Sequence, residues 1–325
     1  MSDITITGKI AILGARGRQG GSVATALHRY RTENPESTIR LRALTRNPDT
    51  FVATWQQPTD ETVKCDLNHP DTIEAALADV DYLFVMTDFW QHHSAIQETS
   101  QHTNLIQAIQ KMTRPLQGVV LSTLENPPTP HDLHSYRGKS LGREHWLSSG
   151  IPTVCVYPCF FWDDLVNLFP LYQVTPDPDQ FTWGFPMEAK QQVAGMCLAD
   201  LGELVVRILI NFNRYQGEHL RVCGEVNQIG EIHWYLQDML RRYSDRNIKV
   251  ELNTLSLDCL ESGASNELGN IFRYYQHIPG STLRDSDVTR QVYPRTQCFY
   301  QWLLANRERL LSEYQLVPRD TPLAC

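Results

Sequence analysis

The sequence lacks the features that mark several large classes of protein. No run approaches the roughly 20 apolar residues that a membrane-spanning helix requires. The most apolar segment, Leu204 to Phe212, contains Arg207 and Asn211. The amino-terminal residues carry an acid and no basic flank, which favours a first strand over a signal peptide. We therefore predict a cytoplasmic protein that makes no contact with a membrane.

Paired cysteines and an excess of positive charge are also missing. The eight cysteines include no C-x-x-C pair, which predicts free thiols. Cys155 and Cys159, the only close pair, lack histidine partners, so no metal site is expected. Lys and Arg total 29 against 37 Asp and Glu, a balance that argues against direct nucleic-acid binding. Neither a G-x-S-x-G elbow nor a Walker lysine occurs, so hydrolase and P-loop readings lack support.

Short apolar runs alternate with helical patterns through the first half of the chain. Six runs predict strands: Lys9 to Leu13, Ile39 to Leu44, Thr62 to Cys65, Tyr82 to Met86, Gly118 to Leu121 and Thr153 to Tyr157. Alternation of this kind is typical of β-α-β units and a parallel sheet. It predicts an α/β protein whose residues 1–158 form a Rossmann-type, doubly wound parallel sheet.

The second half is less regular. Helical patterns cover Ala199 to Phe212 and Ile229 to Tyr243, with short strand patterns at Glu218 to Val222 and Ile248 to Leu252. Residues 159–325 are therefore predicted to form a smaller, mainly helical C-terminal lobe for a substrate or effector. We expect this lobe to be interleaved with the last strands of the sheet.

A glycine-rich turn follows the first predicted strand, with the sequence GARGRQGG from Gly14 to Gly21. Gly14 suits a tight turn, Gly17 lets the backbone approach a diphosphate, and Gly20 lets the first helix lie close to the sheet. A diphosphate would then bind at the N-terminus of that helix, where free N–H groups favour anions. This turn predicts a dinucleotide site.

The end of the second strand distinguishes the two nicotinamide dinucleotides. An NAD site places an acid there for the ribose 2′-hydroxyl, whereas this chain has Leu44-Thr45-Arg46-Asn47-Pro48. A guanidinium suits a 2′-phosphate, and Arg16 in the glycine turn offers a second cation. The sequence therefore predicts NADP(H) as the cofactor.

These motifs, with CDLNHPDTIEAAL, VMTDFW, LSTLEN, HSYRGK and YPCFF in the same order, resemble the NmrA-like family of atypical short-chain dehydrogenases. The likeness covers about residues 8 to 310 and is closest to the branch described as NADPH sensors, which act on partner proteins. It implies dinucleotide contacts along the chain at Gly14, Arg16, Gly17, Arg18, Gln19, Gly20, Arg46, Asp66, Thr87, Lys139, Pro158, Phe160 and Phe161.

Three acids depart from the pattern that the family leads us to expect. Asp49 stands where a second cation often follows the arginine, and Asp88 replaces an asparagine near the diphosphate. Trp162 and Asp163 replace Glu-Asn. Which way these carboxylates point decides whether they weaken the site.

The acid of ordinary short-chain dehydrogenases, the tyrosine of Tyr-x-x-x-Lys, is also missing. Ser135 stands four residues before Lys139, with Tyr136 three before it. Tyr136 would share a helical face with Lys139, but the prolines and Gly138 around it favour a loop, with the helix beginning near Lys139. In some relatives in this superfamily the lysine alone serves as the acid, so Lys139 and Tyr136 are the candidate catalytic residues.

Two functions remain open. In one, the protein is a redox-responsive regulator that binds NADP(H) and a partner protein, with little or no turnover. In the other, it is an NADPH-dependent reductase of a small aromatic, quinone or enone substrate. Helices on one face of the sheet would allow a homodimer in either case.

Overall fold

A computed structural model describes residues 6–50, 59–128, 130–173, 176–260 and 266–318. The chain divides into two compact units. The first comprises residues 1–158, 198–222 and 288–294, and the second comprises residues 159–197, 223–287 and 295–325. The chain thus leaves the first unit after Pro158 and returns to it twice.

The first unit is built on one seven-stranded sheet in which every strand pair is parallel. Its strands are β1 (Lys9–Leu13), β2 (Arg40–Thr45), β3 (Glu61–Lys64), β4 (Tyr82–Val85), β5 (Gly118–Ser122), β6 (Thr153–Tyr157) and β11 (His219–Arg221). They lie in the order β11-β6-β5-β4-β1-β2-β3. The strand order reverses between β1 and β4, and ligands of such sheets bind in the crevice outside the carboxyl ends at this point.

The predicted Rossmann-type sheet is therefore confirmed, with one strand more than the six predicted in the first half. The segment expected as a short strand at Glu218 to Val222 supplies it, because β11 pairs in parallel with β6, Arg221 beside Tyr157. The helices of this unit are α1 (Arg18–Glu33), α2 (Pro70–Ala76), α3 (Ala95–Gln110), α4 (His134–Ser148), α6 (Leu198–Ile210), α7 (Phe212–Tyr215) and most of α11 (Ser286–Val292).

Helix α4 begins five residues before the predicted start. The sequence indicated a loop up to Gly138, but α4 starts at His134, and the amide of Arg137 donates to the Leu133 carbonyl at 2.9 Å. Gly138 is kept inside the helix by packing, since an added Cβ would lie 2.5 Å from Oε2 of Glu98. A glycine that reads as a helix breaker thus marks the close approach of α3 and α4.

The described residues of the second unit form helices and two three-stranded sheets around one apolar core. Its strands are β7 (Phe160–Phe161), β8 (Leu171–Tyr172), β9 (Gln180–Phe185), β10 (Gln192–Met196), β12 (Glu225–Gln228) and β13 (Lys249–Thr254). Its helices are α5 (Asp164–Asn167), α8 (Ile229–Tyr243), α9 (Glu267–His277), α10 (Gly280–Leu283), α12 (Phe299–Ala305) and α13 (Arg307–Glu313). The helices predicted near 199–212 and at 229–243 are present as α6 and α8, although α6 belongs to the first unit.

Candidate functional site

The glycine turn joins β1 to α1 in the tight form that its sequence predicts. Gly14 has φ +74°, a left-handed conformation that glycine adopts at little cost. The amide of Gly17 donates to the Gly14 carbonyl at 2.8 Å. A Cβ on Gly20 would lie 2.3 Å from the same carbonyl oxygen, so α1 can begin here only with glycine at this position. The turn places the N-terminus of α1 next to the carboxyl end of β1.

A cleft of about 370 Å³ opens at the carboxyl ends of β1 to β4. Six of the predicted cofactor residues line it: Gly14, Arg16, Gly17, Arg46, Asp66 and Thr87. Four neighbouring strands thus contribute to one cavity, because parallel strands present their carboxyl ends at the same edge. The cleft matches the place where the sequence predicted the adenosine and diphosphate parts of a dinucleotide.

Two arginines line this cleft after the adjacent strands β1 and β2, and we call this side of the cleft its positive wall. Arg16 and Arg46 are both exposed there, and the first turn of α1 contains no acidic residue. The N–H groups at a helix N-terminus add a positive field of their own. This wall therefore suits an anion such as a phosphate.

Of the three acids near the ends of β2 to β4, two are held by local contacts and one does not line the cleft. Asp88 lines the cleft, but its Oδ1 accepts from the amide of Trp90 at 3.2 Å. Asp49 is exposed in a short 3₁₀ turn and does not line the cleft. Asp66, further along, accepts from the amide of Asn68 at 3.0 Å.

Several cleft residues escaped the sequence-based prediction. Gln101 of α3 is 5% exposed and lines the cleft, and its Nε2 donates to Oδ1 of Asn68 at 3.2 Å. Gln91, Asn47 and Met86 also line it. Gln101 is distinguished only by its burial in the folded chain, since a buried amide needs a hydrogen-bond partner.

Arg18, Gln19 and Gly20, also predicted to contact the dinucleotide, are not among the residues that line the cleft. Oε1 of Gln19 accepts from the Ser122 hydroxyl at 2.7 Å. This bond ties the first turn of α1 to the carboxyl end of β5. Gln19 thus stabilises the turn through its contact with β5.

Lys139 lies beyond Thr87, in a buried ion pair. Its Nζ is 2.5 Å from Oε1 of Glu98 on α3, and it donates to the Thr87 carbonyl at 2.7 Å. The Thr87 hydroxyl donates to the same Glu98 oxygen at 2.7 Å. Glu98 is fully buried and the Lys139 side chain is 14% exposed. Thr87, two residues after β4, is therefore linked directly to α3 and α4.

This polar chain continues into the interior through His102 and Trp146. The indole N–H of Trp146 donates to Nδ1 of His102 at 3.0 Å, so the imidazole proton lies on Nε2, which is 3.2 Å from the Thr87 hydroxyl. Gly142 makes room for the ring, since a Cβ there would lie 2.1 Å from it. Burial, with help from the Lys139 and His145 charges, lowers the pKa of His102 to about 3.

Comparison with known proteins decides the family. The model of the NmrA-like family matches residues 6–234, which is most of the chain. The protein belongs to the NmrA-like family. The resemblance that the motifs indicated is thereby confirmed.

Solved structures agree on the fold. NmrA, a negative transcriptional regulator in complex with NADP, is 13% identical, with a TM-score of 0.73 over 95% of this chain and 97% of that one. A triphenylmethane reductase from Citrobacter sp., complexed with NADP(H), is 16% identical, with a TM-score of 0.69 over 91% and 99%. An NADPH-dependent quinone oxidoreductase from Escherichia coli is 17% identical, with a TM-score of 0.68 over 91% and 98%.

The remaining predicted residues of this NmrA-like protein fall outside the cleft. Tyr136 is on α4, 3% exposed, and does not line the cleft. Pro158 is the last residue before the chain enters the second unit. Phe160 and Phe161 form β7 there, and the Phe160 ring packs edge-on against the Phe185 ring, with 6.0 Å between the ring centroids.

Two further features are absent from the residues that the structure describes in this NmrA-like protein. No group of three or more His, Cys, Asp or Glu side chains in the described ranges is arranged to hold a metal ion. Among the same residues, no helix has both the length and the apolar character that crossing a bilayer requires.

The buried imidazole predicts a pH-dependent stability. The pKa of His102 is about 3 in the folded chain, whereas an ordinary histidine, as in the unfolded chain, has a pKa of 6.5. The unfolded chain therefore takes up a proton first as the pH falls. The contribution of neutral His102 is intact above pH 6.5 and declines below it, by about 2 kcal/mol at pH 5. Urea unfolding at pH 7 and pH 5 should show this loss in the wild type and a smaller one in His102→Gln.

The control for this measurement is His69→Gln, because the His69 side chain is 69% exposed. It should lose as much stability between pH 7 and pH 5 as the wild type. An equal loss in His102→Gln would show that His102 does not remain neutral in the folded protein.

Proposed function

We propose that this protein binds NADP(H) in the cleft and acts as a redox-responsive regulatory protein with little or no turnover. The assignment of NADP(H) as the cofactor rests on Arg46, which lies at the carboxyl end of β2 on the same side of the cleft as Arg16. A guanidinium meets phosphate oxygens with charge-assisted hydrogen bonds, and an NAD site would place an acid at the same strand end. The cleft has arginine there, which favours a 2′-phosphate.

The glycine turn fits the diphosphate of the same cofactor. Gly17 lines the cleft at the N-terminus of α1, and Gly14 and Gly20 bring that N-terminus against β1. Gly14, Arg16 and Gly17 would hold the diphosphate, Arg46 the 2′-phosphate, and Asp66 would lie at the adenosine end. When bound, NADPH supplies a hydride.

Low turnover is favoured by the placement of the two candidate catalytic residues. Tyr136 is buried within α4 and away from the cleft. Lys139 is engaged by Glu98 and Thr87, and the cleft-lining residues that the structure describes include no tyrosine, histidine or lysine. Tyr136 is thus shielded from solvent, and the ammonium of Lys139 is already hydrogen-bonded.

A regulatory role is supported by the link from the cleft to α3 and α4. Thr87 lines the cleft and contacts both Glu98 of α3 and Lys139 of α4. A ligand that moves Thr87 would therefore alter the packing of these two helices. The surface that they present to a partner protein would change with it. That one of the similar structures is a transcriptional regulator complexed with NADP agrees with this role.

The alternative is an NADPH-dependent reductase of a small aromatic, quinone or enone substrate that uses Lys139 and Tyr136. Its support is the likeness to a triphenylmethane reductase and a quinone oxidoreductase. A cytoplasmic location, a homodimer and the absence of nucleic-acid binding stay predictions under both proposals.

Replacing Arg46 tests the cofactor. Arg46→Ala should weaken the binding of NADP⁺ about 10- to 100-fold, since hydrogen bonds to a charged group contribute about 1.5–3 kcal/mol. It should leave NAD⁺ unchanged, because NAD⁺ has no 2′-phosphate. Isothermal titration calorimetry measures both affinities.

Arg40→Ala is the matched control for this experiment. Arg40 is the first residue of β2 and is exposed, so it lies at the opposite end of the same strand from the cleft. Its replacement should change neither affinity. An Arg46→Ala protein that still prefers NADP⁺ over NAD⁺ to the wild-type extent would refute the assignment.

Turnover separates the two functions. With NADPH and a panel of quinones, enones and triphenylmethane dyes, the regulatory account predicts no steady NADPH oxidation above the rate without protein. Sustained oxidation that is abolished by Lys139→Met would contradict it and establish the reductase. Tyr136→Phe then shows whether the tyrosine hydroxyl takes part.

A further inference from the structure

Glu98 is a fully buried carboxylate for which the cofactor assignment has no direct use. A buried charge is costly unless it is paired and hydrogen-bonded. Oε1 of Glu98 accepts from Nζ of Lys139 at 2.5 Å and from the Thr87 hydroxyl at 2.7 Å. Oε2 has no hydrogen-bond partner among the described residues. All the polar contacts of this carboxylate thus converge on one oxygen and on two neighbours.

The position of this carboxylate is fixed by close packing. Gly138 lies against it, since a Cβ on that residue would be 2.5 Å from Oε2. The Thr87 hydroxyl also contacts Nε2 of His102, and His102 is held by Trp146. Glu98 therefore has little room to move, and the ammonium that it holds is equally restricted.

The ammonium is held on the side of the cleft where the second half of a dinucleotide belongs. A doubly wound sheet binds the two nucleotides of its ligand on opposite sides of the point where the strand order reverses. Arg46 and Asp66 follow β2 and β3, on one side of that point, and Thr87 follows β4 on the other. The Thr87 carbonyl accepts from Nζ of Lys139 at 2.7 Å. Lys139 therefore lies toward the nicotinamide nucleotide.

We propose that Glu98 is a positioning residue, which fixes Nζ of Lys139 for the nicotinamide half of NADP(H). The proposal rests on the proposed NADP(H) binding and adds a residue that acts through Lys139. A lysine side chain has four rotatable carbon–carbon bonds and much rotamer entropy. Holding its ammonium on a rigid carboxylate before the ligand arrives avoids part of that cost at binding.

A purely structural ion pair makes a different prediction. If Glu98 only stabilised the contact between α3 and α4, its loss would weaken every ligand of the cleft alike, or none. If it positions Lys139, its loss affects only ligands that carry the nicotinamide nucleotide. Adenosine 2′,5′-bisphosphate, which has the 2′-phosphate and adenine but no nicotinamide, separates the two roles.

The test is calorimetry of NADP⁺ and adenosine 2′,5′-bisphosphate with the full-length protein. Glu98→Gln should weaken the binding of NADP⁺ about tenfold or more, while the affinity for the bisphosphate should stay within about twofold of the wild-type value. Glu98→Asp should weaken NADP⁺ as well, because its shorter side chain keeps the charge but not the reach to Nζ. Should Glu98→Gln fail to fold, Glu98→Asp serves in its place.

A double-mutant cycle shows whether Glu98 acts through the lysine. Glu98→Gln in a Lys139→Met background should cause no further loss of NADP⁺ affinity, since coupled residues do not contribute additively. Glu74→Gln is the control, because it removes another Lys–Glu pair, 2.5 Å between Lys111 and Glu74, that lies away from the cleft. It should leave both affinities unchanged.

Each result decides the matter. Equal losses for the two ligands in the Glu98 variants, no loss for either, or additive losses in the cycle would overturn the positioning role while NADP⁺ binding by the wild type stands. A wild type that binds neither ligand would overturn the proposed function, and the positioning role with it.

Discussion

The close approach of α1 to the end of β1 is the constraint on which the candidate site depends. Gly14 turns the chain with a positive φ, and Gly20 lets the helix begin within contact of the Gly14 carbonyl. Any larger residue at Gly20 would push the helix away from the strand. The helix N-terminus would then no longer face the cleft at the carboxyl ends of β1 to β4, and the wall formed by Arg16 and Arg46 would lose its N–H groups.

A second constraint connects this cleft with the interior. The cost of burying the Glu98 carboxylate is offset by Lys139 and Thr87, and the neutral imidazole of His102 occupies space that Gly142 leaves open. Because an unpaired buried polar group is expensive, these side chains have few alternative arrangements. A change at Thr87 would therefore alter its contacts with α3 and α4, and the proposed regulatory role depends on those contacts.

Sequence patterns predicted most of the fold, since strand–helix alternation and the glycine turn are local signals. The end of β2 also predicted Arg46, whereas Asp66 and Thr87, which line the same cleft, were implied only by the family resemblance. The sequence patterns placed the start of α4 wrongly, because Gly138 reads as a breaker until Glu98 is seen to pack against it. Glu98 and His102 escaped prediction because a buried ion pair between two helices depends on contacts that no local pattern records.

The central claim, that the protein responds to the redox state of NADP(H), is tested most directly by calorimetric titration with NADP⁺ and with NADPH under identical conditions. The account predicts that the two affinities differ by about tenfold or more, which corresponds to about 1.4 kcal/mol. Such a difference makes the fraction of clefts that are occupied depend on the ratio of the two forms. Tight binding of both with equal affinity would contradict a redox sensor and favour the reductase.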